Sequence, residues 1–160
     1  MDAINAGDTA WVLASAGLVL LMTPGLALFY GGMVRAKSVL NMMMMSFIAL
    51  GTVTIAWVLW GYGESFGNSL GGLGLVGNPF GHVGLQDLLS ADAVMGPAGH
   101  QIPTLAFAAF QGTFAIIAVA LVSGAIADRA KFSTWTVFTV VWATLVYFPV
   151  AHWVFDFATP

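Results

Sequence analysis

The run Phe110-Gln111-Gly112-Thr113-Phe114 sets two aromatic rings and an amide into one uninterrupted apolar stretch. Rings four residues apart stand on one face of a helix. A second aromatic group, Tyr147, His152, Trp153 and Phe155, closes the last apolar stretch of the chain. A path for a polar solute through an apolar medium needs aromatic or polar groups of this kind. The second group also fits an interfacial belt, where Trp and Tyr anchor helix ends at a membrane surface. The residues alone leave both readings open.

His152 and Asp156 lie four apart, a spacing that suits a metal pair or an acid–base pair on one helix face. No third ligand is near them in sequence, and His82 and His100 belong to a distant segment. A hydrogen-bonded histidine at a helix end is the plainer reading. Gly72-Leu73-Gly74-Leu75-Val76-Gly77 matches G-x-G-x-x-G letter for letter. A dinucleotide site needs a strand before that motif and a helix after it. Neither pattern flanks it, so it reads as a glycine-rich loop. No nucleophile elbow, Walker loop or H-E-x-x-H occurs, so no enzyme, cofactor or metal is expected. Cysteine is absent, which excludes a disulfide framework and a thiolate site.

Charge decides what carries these groups. The 160 residues are 59% hydrophobic and 7% charged, against about 25% charged in a soluble domain. Every basic residue falls in one of two short gaps, Arg35 and Lys37 in the first, Arg129 and Lys131 in the second. Residues 9–34, 38–63, 102–127 and 132–155 carry no charge at all. As helices of about 24–26 residues they would be roughly 36–39 Å long, enough to cross a ~30 Å hydrocarbon core with some tilt. The expected fold is therefore all-α, a polytopic transmembrane helix bundle in a lipid bilayer, forming a single domain with a long connection over 64–101.

The basic gaps also fix an orientation. The positive-inside rule makes 35–37 and 128–131 cytoplasmic. The N-terminus, the 64–101 loop and the C-terminus then lie outside, together with Asp2, Asp8, Glu64, Asp87 and Asp92. Asp2 and Asp8 stand where a signal peptide would carry Lys or Arg, so the first apolar run is read as a membrane helix. No basic cluster is present to hold nucleic acid. In the 64–101 loop, re-entrant turns, coil or a short surface helix around 86–93 are all compatible with the residues. Pro24 is expected to break and kink the first helix. Ala27 with Gly31, and Ala120 with Gly124, let helix backbones approach closely. Ile117 is read as lipid-facing.

The stretch from Thr23-Pro24-Gly25-Leu26 through Phe29-Tyr30-Gly31-Gly32 to Arg35-Ala36-Lys37-Ser38 resembles the first-helix signature of the ammonium transporter (Amt/Mep/Rh) family. Phe110-Gln111-Gly112-Thr113-Phe114-Ala115, then Gly124-Ala125-Ile126-Ala127-Asp128-Arg129, resembles the family's third helix and its exit. Tyr147-Phe148-Pro149-Val150-Ala151-His152-Trp153 resembles its fourth. The resemblance implies a homotrimer of eleven-helix subunits with the N-terminus outside. Each subunit has its own pore between two inverted halves. This chain would be the first four helices of one half, inactive alone. It implies ammonium or ammonia as substrate, an outer vestibule of aromatic rings, and a phenylalanine gate. By motif position Phe114 is the gate ring, Phe110 lies at the mouth beside it, and Tyr147 and Phe155 fall in the vestibule. A cytoplasmic regulatory partner, if one acts, leaves no motif here.

Two departures stand out. Phe155 occupies a position where the family often has Trp. Asp156-Phe157-Ala158-Thr159 superficially resembles the family's transport-aspartate context but follows the fourth helix immediately, so Asp156 is read as a loop residue. His152 is likewise not one of the family's pore histidines. The rival to the transporter reading is a small four-helix membrane protein with a structural or membrane-enzyme role.

Overall fold

The computed structural model describes residues 4–72 and 74–155. Four helices in it are long and apolar enough to cross a membrane: α1 (Ala6–Met33), α2 (Ala36–Phe66), α3 (Thr104–Ile126) and α4 (Phe132–Phe155). A two-residue antiparallel pair, β1 (Val94–Met95) with β2 (Ile102–Pro103), lies in the long connection.

Most helix bounds differ from the charge-free runs by one to three residues, and three of the shifts have a clear local reason. α1 starts at Ala6 because Asn5 caps it, its side chain accepting from the Asp8 amide at 3.0 Å. α2 continues past Gly63 to Phe66 because Glu64 is buried within the helix rather than ending it. α3 starts at Thr104 because Ile102 and Pro103 pair with β1. Pro24 does not break α1, which runs unbroken from Ala6 to Met33. Residues 86–93 form no α-helix; tight 3₁₀ turns occupy Val83–Leu89.

Close backbone approach and cross-helix tryptophans set how the spans pack. Ala27 and Gly31 of α1 are buried, and Tyr30 reaches across to α3, donating to the Leu121 carbonyl at 3.1 Å. A side chain at Gly124 would collide with that tyrosine, at 2.6 Å from its ring. Trp57 of α2 donates its indole N–H to the Ala108 carbonyl of α3 at 3.0 Å. Trp60 donates to the Thr144 hydroxyl of α4 at 3.0 Å, and Trp135 of α4 to the Met45 carbonyl of α2 at 2.7 Å. Thr52 and Thr139 join α2 to α4 through their hydroxyls at 2.8 Å. Such bonds between membrane helices average about 0.6 kcal/mol each, so their chief effect is register. α2 and α4 each contain one π-helical turn, Trp57–Gly61 and Ala143–Tyr147. The two helices meet just there, with the Phe148 ring filling the space above Gly61, where an added Cβ would stand 2.4 Å from it.

At the end of the bundle with the long connection, several contacts hold the loop down. His100 pairs with Asp8 at 2.8 Å, the Asn5 side chain donates to the Gly99 carbonyl at 3.0 Å, and His82 pairs with Asp87. The Trp153 indole donates to the Leu75 carbonyl at 2.6 Å. The G-x-G-x-x-G stretch has no flanking strand–helix unit; Gly77 instead bridges back to Ser69.

At the opposite end Arg35 meets Asp128, with 3.3 Å between Nε and Oδ2, so the two short connections touch. The Ser38 hydroxyl, and then the Arg35 guanidinium and Lys37, hold the Asp128 carboxyl below the usual carboxylate range. A depressed pKa means the stabilisation is present above the ordinary carboxylate range and is lost as pH falls through the lowered value. Asp128→Asn is expected to lower the melting temperature in detergent slightly at neutral pH. That difference should close on acidification. A gap independent of pH would show that ionisation of Asp128 contributes nothing.

Candidate functional site

Phe110, Gln111 and Phe114 of α3 and Tyr147 and Phe155 of α4 line one cleft of about 240 Å³. It opens at the end of the bundle that carries the long connection. Its position follows from α3's orientation. Gly112 lies against the Trp57 indole, and a Cβ there would come within 2.9 Å of the ring. Residues two positions either side of Gly112 point away from that contact. Phe110 and Phe114 are therefore turned from α2 toward the cleft, with ring centroids 5.1 Å apart and planes at 86°. Phe114 is 36% exposed and Phe110 is half-buried.

α4 supplies the other wall. Phe148 is buried against Gly61, and Phe155 stands two turns further along the same face. There its ring stacks on Phe66, the last residue of α2, at 6.1 Å and 26°. Tyr147 is half-buried beside Phe148. The cleft is thus mostly aromatic, with two polar groups, the Gln111 amide and the Tyr147 hydroxyl. Neither side chain makes a hydrogen bond to another of the described residues. The wall offers π-faces and two hydrogen-bonding side chains, groups that can attract a cation.

All four residues singled out from the sequence for a solute path, Phe110, Phe114, Tyr147 and Phe155, meet at this cleft. Gln111, the amide read in the same run as Phe110 and Phe114, joins them at the cleft. Phe66 was missed and had no signal, because its place beside Phe155 depends on how α2 meets α4. Ile117 is not lipid-facing: it is buried at 6% exposure, because the packed face of α3 includes positions 116, 117, 119 and 120. His152 is buried at 1% exposure, with Nδ1 3.3 Å from the Ser65 carbonyl oxygen. His82 and His100 pair with Asp87 and Asp8 instead of approaching it. Asp156 lies outside the described residues.

Four long apolar helices, packed through small residues and cross-helix tryptophans, define a polytopic membrane protein with part of a transporter fold. The chain belongs to the Ammonium Transporter Family, whose family model matches residues 10–159. It is 54% identical to an ammonium transporter of Mycobacterium tuberculosis, over 98% of this chain and 35% of that protein. An ammonium transporter of Bacillus subtilis is 47% identical over 94% of this chain and 36% of its own length. The crystal structure of Saccharomyces cerevisiae Mep2 superposes with a TM-score of 0.81 at 30% identity, covering 96% of this chain and 32% of Mep2. The chain spans about a third of the length of the relatives it matches.

Proposed function

We propose that these four spans form one domain of a trimeric ammonium transporter of the cell membrane, with the N-terminus and the long connection outside and the two basic connections in the cytoplasm. The protein moves its substrate rather than transforming it. The cleft between α3 and α4 is the outer recruitment site, with Phe114 as gate ring, Phe110 at the mouth, and Tyr147 and Phe155 in the vestibule. The observation that carries this reading is that the four residues, far apart in sequence, line one aromatic cleft at the end away from the basic connections.

The physics suits ammonium. A cation is drawn to an aromatic face by about 0.5–2 kcal/mol, more as water is removed. A bare cation cannot enter an apolar constriction cheaply, so rings that offset part of the lost hydration belong at the entrance. Phe is a weaker cation–π partner than Trp. Phe155→Trp is therefore expected to lower the apparent KM for ammonium uptake about two- to fivefold, corresponding to roughly 0.5–1 kcal/mol at a partly wet site. An unchanged or raised KM at equal surface expression would mean that this ring does not face the cation.

A further inference from the structure

We infer that Phe66 is a positioning residue for the recruitment site: it sets the Phe155 ring across the mouth of the cleft without lining the cleft itself. The inference rests on the reading of the cleft given above. Phe155 sits near the end of α4 and is 37% exposed. An exposed aromatic at a helix end has several rotamers open to it unless a neighbour selects one. Phe66 is that neighbour, stacked on Phe155 at 6.1 Å and 26°.

The Phe66 ring is itself fixed by a cluster of other rings. Tyr62 stacks on it at 5.5 Å and 29°. Trp57 and Phe107 meet it edge-on, at 6.1 Å and 80° and at 5.2 Å and 80°. Trp57 is in turn anchored to α3 through the Ala108 carbonyl, and Tyr62 is buried. Edge-on and offset stacks are the favoured arrangements for aromatic pairs, so this geometry holds one ring orientation against its alternatives. A second tie runs parallel to the stack, from the Ser65 carbonyl to His152 Nδ1, one turn before Phe155 on α4. The end of α2 thereby grips the end of α4 at adjacent residues. Phe155 meets the cation, and Phe66 determines where Phe155 stands.

The test is the concentration dependence of isotope-labelled ammonium uptake by cells expressing the protein from its full reading frame, normalised to surface amount. Phe66→Leu keeps an apolar side chain but removes the stack. It is expected to raise the apparent KM about two- to tenfold while the maximum rate per surface transporter stays within about twofold. Phe66→Tyr, which restores a ring, should return KM to the wild-type value. Leu59→Ala, an exposed position of the same helix outside both the ring cluster and the cleft lining, should leave KM unchanged. If Phe66→Leu does not reach the surface, Phe66→Met gives the same comparison. A wild-type KM in the Leu or Met variant, or equal KM shifts for Phe66→Leu and Leu59→Ala, would overturn the inference. Phe155→Ala separates the two levels. Where it raises KM and Phe66→Leu does not, the positioning role alone fails. Where Phe155→Ala leaves KM unchanged, the reading of the cleft fails with it.

Discussion

A cysteine placed at Ala91 should be modified by an impermeant thiol reagent on intact cells, and one placed at Ala36 only after the membrane is permeabilised. Both alanines are exposed, Ala91 in the turn before β1 and Ala36 at the very start of α2, next to Arg35. These 160 residues contain no cysteine, so the introduced thiol is the one cysteine among them, and the protein without it supplies the background. The expectation rests on the placement of charge. Arg35, Lys37, Arg129 and Lys131 are all in the two short connections, and the Arg35–Asp128 contact brings those connections to one end of the bundle. Lys and Arg near span ends are retained on the cytoplasmic side. The long connection, which contains no Lys or Arg, is then expected outside. Labelling should be close to all-or-none, since each position has one side of the membrane. The reverse pattern would turn the cleft to the cytoplasm and remove it from recruitment of external ammonium.

The membrane spans were legible because lipid excludes charge, and the gaps between uncharged runs mark where the chain leaves it. That same signal misplaced the end of α2. Glu64 looks like a boundary by charge, yet the helix runs on through it and two further residues, the last of them Phe66. Pro24 looked like a break, but a membrane helix tolerates proline where packed neighbours re-satisfy the freed backbone. Phe110 and Phe114 were readable as a pair because their spacing alone puts them on one face. Which face of α3 is packed was not readable. The helix is apolar all round, so its pattern carries no direction, and Ile117 was assigned to lipid although it is buried. Gly112 holds the missing information, because the Trp57 indole occupies the space a side chain would take. The meeting of Phe66 with Phe155 is equally silent in sequence, since it joins residues from the ends of two different helices.

Phe114→Ala is the other change with a large expected effect. Phe114 is an exposed ring in the cleft, held edge-to-face against Phe110. Its removal leaves the cleft with one fewer π-face and leaves Phe110 without its partner. Losing a cation–π contact of about 0.5–2 kcal/mol corresponds to a roughly 2- to 30-fold weaker apparent affinity for ammonium. The fold should survive, because the ring is not part of the buried core and α3 is held through Gly112, Ala108 and Ala120 on its other face. Leu28→Ala supplies the control, since Leu28 is 66% exposed on α1 and lies outside the cleft. Its uptake should match wild type within about twofold, as exposed positions away from such features change little.

The most direct test of the recruitment site is a saturation curve for isotope-labelled ammonium uptake, measured in wild type, Phe114→Ala and Leu28→Ala at equal surface expression. The expected result is a raised apparent KM in Phe114→Ala alone. Identical curves for all three, or a KM shift of the same size in Leu28→Ala, would contradict the assignment of the α3–α4 cleft as the place where the cation enters.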